Sequence, residues 1–437
     1  MGNEEDERYS YDAWYPLVHV CQRWRYVVFE SPRRLNLRLH CTRRRVREML
    51  GVWPALPIVI WDIESFTSDE DNIVAALEHR DRVCDIKLGS FTRLQCEKLV
   101  PLMQESFPAL AKLHIQSYST IDEPLVLPDS FLGGSAPHLR FLCFGSISFP
   151  AFPKFLLSAS NLVHLYLNGT RSGHISSEMV AALSTLSKLE VMHLSFIAPS
   201  TANPDLEFRV HPPLTRSVLL AVKVLELEGH GKYLEDFAAR IDVPSIKNLS
   251  IEFTNRPFFI DGFFRLPQLI YLSQLIGRAE IFRTFHYARF QLMPYAMDVT
   301  LTATRSTGAL QLKFLYDTES PLLSLVEAFN ASLLPLSNIE TFEICSPYSS
   351  RDSQSRSYTE DPRWLVVLRR FSAARKLYLG SMEIAPPIAF ALKQVIDEGM
   401  TDVLPALQEL TVCGSLSPGP VREAIEQFLT ARGLPAF

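Results

Sequence analysis

Four Gly-Ser pairs, Gly89-Ser90, Gly145-Ser146, Gly380-Ser381 and Gly414-Ser415, are where a serine nucleophile could sit on a turn in this 437-residue sequence. None has the flanking glycine of a nucleophile elbow, and each follows an apolar alternation, so they read as turns that end strands. Eleven His include no pair at metal-ligand spacing with a third ligand nearby, and His114, His164 and His193 lie inside strand patterns. Seven Cys (Cys21, Cys41, Cys84, Cys96, Cys143, Cys345 and Cys413) are odd in number and widely spread. That spacing fits neither a disulfide framework nor a zinc site, and predicts reduced, mostly buried thiols. No Gly-rich phosphate loop is present. No catalytic residue, metal ligand or cofactor site is expected, and the chain reads as a non-enzyme.

One charge cluster stands out. Arg33, Arg34, Arg38, Arg43, Arg44, Arg45 and Arg47 fall within 15 residues with no acid among them. Such a run can serve nuclear localisation or phosphate binding, but it reads first as a solvated basic face beside the acidic N-terminus. With 43 Lys and Arg against 48 Asp and Glu, the formal net charge is -5, which argues against a general nucleic-acid binder.

The elements that must position any site follow from a repeat. Three apolar residues at relative positions one, four and six recur as Val83, Ile86, Leu88; Leu110, Leu113, Ile115; Leu139, Leu142, Phe144; Leu162, Leu165, Leu167; and Leu189, Met192, Leu194. They continue as Val222, Leu225, Leu227; Ile246, Leu249, Ile251; Ile339, Phe342, Ile344; Ala374, Leu377, Leu379; and Leu407, Leu410, Val412. The first seven copies are spaced by about 27 residues on average. Positions four and six alternate as a short strand does. Helical stripes lie between, such as Leu234, Phe237, Ala238, Ile241, and Met179, Val180, Leu183, Leu186 with Ser176 and Ser177 as caps.

Strand, turn and helix in each copy predict an α/β fold whose strands form one parallel inner sheet with outer helices. Strands stack about 4.8 Å apart while helices need about 8 to 10 Å, so such an array curves with its strands inside. The strand residues between the buried positions, His114, Tyr166, His193, Glu226, Ser250, Glu343, Tyr378 and Thr411, are then expected on the concave, target-binding face. From 251 to 339 the pattern weakens to alternating stretches near Phe282–Tyr287, Met297–Leu301 and Leu310–Phe314, which fit extra strands or an interruption. Ser117–Pro137, Ala198–Thr215 and Ser346–Pro362 read as insertions, the last as a flexible loop. Val421, Ile425, Phe428 and Leu429 predict a capping helix over 420–433, closed by Gly433.

Ahead of the array, residues 1–62 follow a different rule. Leu17, Val20, Cys21, Trp24 and Val28 recur at helical spacing after Pro16, which predicts one amphipathic helix to about Phe29, with Trp24 and Cys21 packed internally. Leu35, Leu37 and Leu39 alternate as a half-buried strand, and Pro57–Trp61 reads as a buried one.

The ten copies resemble leucine-rich repeats. The Asn or Cys of that family three residues past position six is replaced throughout (Phe91, Tyr118, Ile147 and Thr170 in the first copies), so an irregular leucine-rich-repeat solenoid over 63–437 is expected. The stretch Leu17, Val18, His19, Val20, Cys21, Gln22, Arg23, Trp24, Arg25, with its exit at Ser31 and Pro32, resembles the second half of an F-box; together with Trp53, Pro54, Ala55, Leu56, Pro57 and Ile58 it looks like the F-box-like proteins of mushroom-forming fungi. The family's first half, a Leu-Pro and a helix ending in Ile-Phe, has no counterpart in Met1–Tyr15. The resemblance implies a substrate-recruiting subunit of a cullin-RING ubiquitin ligase, docking a Skp-type adaptor through Leu17, Val20, Cys21, Trp24 and Val28 and an unnamed target protein on the repeats. A repeat scaffold that binds no adaptor is the alternative. The acidic start and the lack of an apolar span imply no membrane partner and a soluble cytoplasmic or nuclear protein, in which the sequons at Asn168, Asn248 and Asn330 go unused.

Overall fold

A computed structural model describes residues 15–30, 39–40, 46–52, 55–62, 70–117, 125–148, 153–170, 177–196, 216–254, 269–293, 296–303, 308–315, 336, 338–346, 362–414 and 416–435. The Arg run before Val46, the strand positions Leu35 and Leu37, the segment 198–215 and the loop 347–361 lie outside them. The chain divides into two compact units, Met1–Ala202 and Asn203–Phe437.

In the first unit the strands are β1 (Leu39–His40), β2 (Ile58–Asp62), β3 (Val83–Phe91), β4 (Lys112–Ser117), β5 (Leu125–Val126), β6 (Phe141–Gly145), β7 (Ile147–Ser148), β8 (His164–Thr170) and β9 (Val191–Phe196). The main sheet runs β1-β2-β3-β4-β6-β8-β9 with parallel pairing throughout, and β5 pairs with β7 apart from it. The register aligns position four of each copy (Ile86, Leu113, Leu142, Leu165, Met192) and position six beside it (Leu88, Ile115, Phe144, Leu167, Leu194). None of these is more than 3% exposed. Each such side chain contributes about 1.5 to 3 kcal/mol of burial, which fixes the register, because a one-residue slip would turn the whole column to solvent. Phe131, Phe144 and Phe155 meet edge to face beneath the sheet, with centroids 5.7 to 6.3 Å apart.

The second unit contains β10 (Ser217–Val218), β11 (Val224–Gly229), β12 (Ile241–Asp242), β13 (Asn248–Phe253), β14 (Tyr287–Leu292), β15 (Ala296–Thr302), β16 (Ala309–Leu315), β17 (Thr341–Cys345), β18 (Lys376–Leu379) and β19 (Glu409–Val412). Its sheet runs β11-β13-β16-β15-β14-β17-β18-β19. The weak stretch after Ile251 resolves here. β14, β15 and β16 form an antiparallel meander inserted in reverse order, with β16 parallel to β13 and β14 parallel to β17. Three inserted strands, being odd in number, return the chain to its original direction, so the parallel array resumes on the far side. The alternation expected near Phe282–Tyr287 is instead a 3-10 helix, Glu280–Thr284, with the strand starting at Tyr287.

A fourth apolar position accompanies the three of the repeat. In eight copies the position-one N–H donates to the carbonyl three residues earlier, at 3.0 to 3.3 Å. That earlier residue is Phe107, Ala136, Ala159, Leu186, Val243, Leu336, Phe371 or Leu404, and each is buried. A tight turn thus delivers every one of these strands, and its apolar first residue anchors the turn in the core.

The copies are joined by a backbone ladder as well. The carbonyl at position two accepts the N–H groups of positions two and three of the next strand: Ala111 takes Arg140 and Phe141, Arg140 takes Val163 and His164, Val163 takes Glu190 and Val191. In the second unit Lys223, His286, Glu340 and Arg375 accept in the same way. A carbonyl has two lone pairs, so the link needs no side chain.

Helices cover the core side of each sheet. Gly231–Arg240 buries Leu234, Phe237 and Ala238, as its stripe predicts. Ser177–Thr185 buries Val180 and Leu183, and Pro420–Ala431 buries Ile425, Phe428 and Leu429. At the end of the last helix Gly433 (φ 68°) donates to the Thr430 carbonyl at 3.0 Å and Leu434 to that of Leu429 at 2.8 Å, the paired bonds of a Schellman cap.

Candidate interaction surfaces

The N-terminal helix is two helices, Tyr15–Val20 and Gln22–Glu30, broken at Cys21. The Val18 carbonyl accepts the Arg25 Nε at 3.1 Å beside the break. An apolar stripe read across Cys21 loses its phase there, and the expected face does not turn inward as a whole. Val28 is buried (2% exposed) and Leu17 half-buried, but Cys21 is exposed, Val20 is 63% exposed and Trp24 is 49% exposed. The internal packing expected for Trp24 and Cys21 is therefore corrected. Val18, which lay outside the stripe, is fully buried, while Val27 is 54% exposed. Among the described residues, the exposed large apolar side chains of this helix pair are Val20, Trp24, Tyr26 and Val27.

All eight residues expected on the open side of the strands are half-exposed, and the register places them in rows. In the first unit Trp61, Lys87, His114, Cys143, Tyr166 and His193 lie side by side across β2, β3, β4, β6, β8 and β9. Phe141 and His164, in the neighbouring row, meet them through ring contacts: Phe141 to Tyr166 at 5.6 Å, Phe141 to His164 at 6.0 Å, and Tyr166 stacked on His193 at 6.1 Å. Burial pushes the His164 imidazole below its ordinary value, with Glu190 opposing and Lys112 reinforcing. Burial also lifts the Cys143 thiol to about 11, against the field of Lys87.

The second unit's open face has another chemistry. Glu226, Ser250, Gln311, Thr300, Arg289, Glu343, Tyr378 and Thr411 share one row. Within it the Tyr287 hydroxyl donates to Glu343, and Arg289 Nε lies 3.5 Å from the other Glu343 oxygen and 3.3 Å from the Cys345 sulfur. Burial first, then the hydrogen bond to Glu343, hold the Tyr287 hydroxyl well above the usual phenol value. Two residues along, Glu228, Glu252, Lys313 and Asp298 are in register, with Lys313 Nζ 3.0 Å from Glu252. Burial raises the Asp298 carboxyl although Lys313 pulls it down.

Trp61, Lys87, Phe141 and Arg289, which the sequence did not single out, follow the same alternation as the eight residues expected on the open face. Pairing each strand against its neighbour on the sequence would have found the first three. Arg289 sits in the inserted meander, where the repeat gives no frame. The thiols differ from expectation too: among those described only Cys96 and Cys345 are buried, Cys84 and Cys143 are intermediate, and Cys21 and Cys413 are exposed.

Among the described residues no three His, Cys, Asp or Glu side chains are grouped to hold a metal ion, and no helix is long and apolar enough to cross a membrane. What the geometry offers is surface: exposed apolar side chains on the N-terminal helix pair and, in each unit, a sheet face of its own chemistry. No protein-family model matches the chain, and no curated protein matches it.

Proposed function

We propose that the chain is a substrate-recruiting subunit of a cullin-RING ubiquitin ligase, built as an irregular leucine-rich-repeat array behind an F-box-like segment. The helix pair docks the Skp-type adaptor, and the open strand face captures the target protein. The observation that carries this reading is the exposure of Val20, Trp24 and Val27 within the segment whose residues resemble an F-box. An exposed Trp is a usual anchor of an interface hot spot, and a helix laid against a partner groove is a common docking mode. The parallel sheet, with its buried columns and half-exposed rows, supports the second half of the reading.

The deciding experiment is binding of the whole chain to a purified Skp-type adaptor. A complex that forms and is weakened by Trp24→Ala is the expected result. No detectable complex at tens of micromolar, roughly the weak end of specific association, overturns adaptor docking and leaves a repeat scaffold.

A further inference from the structure

The open face of the first unit's sheet combines rings with the cations Lys87 and Lys112. Lys87 Nζ stands 5.0 Å over the Trp61 ring, and its field reaches Cys143 two strands away; at His164 the field of Lys112 meets the larger, opposing one of Glu190 from just outside these rows. In the two rows that contain these residues the one carboxylate among the described residues is Asp85, 4.0 Å from Lys112. Tyr166 is stacked at 28° to His193 and tilted against Phe141, so flat apolar surface is held ready beside the cations, towards β9. Rings fixed by one another bind with little loss of side-chain freedom.

We propose that this face binds an extended protein segment in which carboxylates alternate with aromatic or aliphatic side chains. The inference rests on reading the open strand face as the capture surface, and it names the chemistry of what is captured. Apolar side chains of the segment cover the Phe141 and Tyr166 rings, and its carboxylates meet Lys87 and Lys112. A single-stranded nucleic acid would also stack on rings, but it carries a phosphate at every nucleotide and its binders line the path with many cations. Two lysines in these rows fit a segment with few charges.

The test uses the full chain and a labelled peptide of alternating Glu and Phe, compared with Gln-Phe and Lys-Phe versions and with an oligothymidylate. The Glu-Phe peptide is expected to bind at least about ten-fold tighter than the Gln-Phe one, and to weaken as salt is raised while the Gln-Phe one does not. Lys87→Gln combined with Lys112→Gln removes that advantage, and Tyr166→Ala weakens both peptides. Equal binding of the Glu-Phe and Gln-Phe peptides, preference for the Lys-Phe peptide, or tighter binding of the oligothymidylate overturns the proposal. If the double variant fails to fold, the salt response of the unaltered chain decides. Adaptor binding is measured on the same preparation: its failure with peptide discrimination intact removes the ligase reading alone, and the converse removes this inference alone.

Discussion

At the scale of single residues, Trp24 separates structure from function. A buried Trp cut to Ala costs about 3 to 5 kcal/mol, but Trp24 is 49% exposed, so Trp24→Ala is expected to lower stability by less than about 1 kcal/mol while sharply weakening adaptor binding. Denaturant midpoints and adaptor titrations on the same variant check this, and a large loss of stability would show that the ring is a core element. Thiol reactivity follows a similar logic. Cys21 and Cys413 are exposed, whereas burial lifts the Cys96 and Cys143 thiols to about 11 and keeps them protonated. Brief alkylation followed by mass mapping should label Cys21 and Cys413 first, and early labelling of Cys96 would contradict the packing around it. The sequence had suggested mostly buried thiols because free Cys is among the most buried residue types; it could not register that Cys21 marks a helix break.

Among the elements, the repeated strands were legible, and so were two of the three that interrupt them, β15 and β16, which the alternations near Met297–Leu301 and Leu310–Phe314 mark. Every residue of the ten apolar triplets is buried except Val412, on the last strand of its sheet. The turn residue three places before position one is equally periodic, as Phe107 before Leu110 illustrates, but Ala136 and Ala159 are too small to stand out in a hydrophobic pattern. The reverse order of the meander was not legible, because antiparallel strands alternate without the entrance turn. One contact between elements was beyond any local pattern. The carboxylate of Glu235, on the helix Gly231–Arg240, accepts the N–H groups of Tyr271 (2.8 Å) and Leu272 (2.9 Å) in the first turn of Ile270–Arg278. It caps that helix from outside and meets its positive end.

Glu235→Ala leaves both donors without that acceptor and is expected to cost about 1 to 3 kcal/mol. Burial pushes the carboxyl above its ordinary range in spite of the two donors. The folded chain then holds this proton at a pH where the unfolded chain has released it. The group's contribution is therefore fully present below about pH 4 and is lost as pH rises through the raised value. Glu235→Gln cannot titrate, so the difference in denaturant midpoint between it and the unaltered chain should change with pH above about pH 4. A constant difference would mean that the carboxyl titrates alike in both states.

For the molecule as a whole, the division at Ala202 and Asn203 gives each unit a core of its own. Trp364 lies in the second, 1% exposed on the helix Arg363–Arg369. Nearby in that unit Phe342 and Phe371 stack with centroids 3.8 Å apart, and Phe290 meets both edge to face. Trp364→Ala removes the largest fully buried side chain among the described residues and should cost about 3 to 5 kcal/mol, because a rigidly framed site cannot close over the void. Stability in repeat-like arrays is carried by neighbouring copies, so the loss should be local. Hydrogen exchange is expected to accelerate first in β17, β18 and β19, and in the helix Ala385–Asp397, while β4, β6 and β8 keep their protection. If the strands of both units lost protection together at the same denaturant concentration, the chain would unfold as one cooperative body, and the copies would be coupled over a far longer range than nearest-neighbour packing provides.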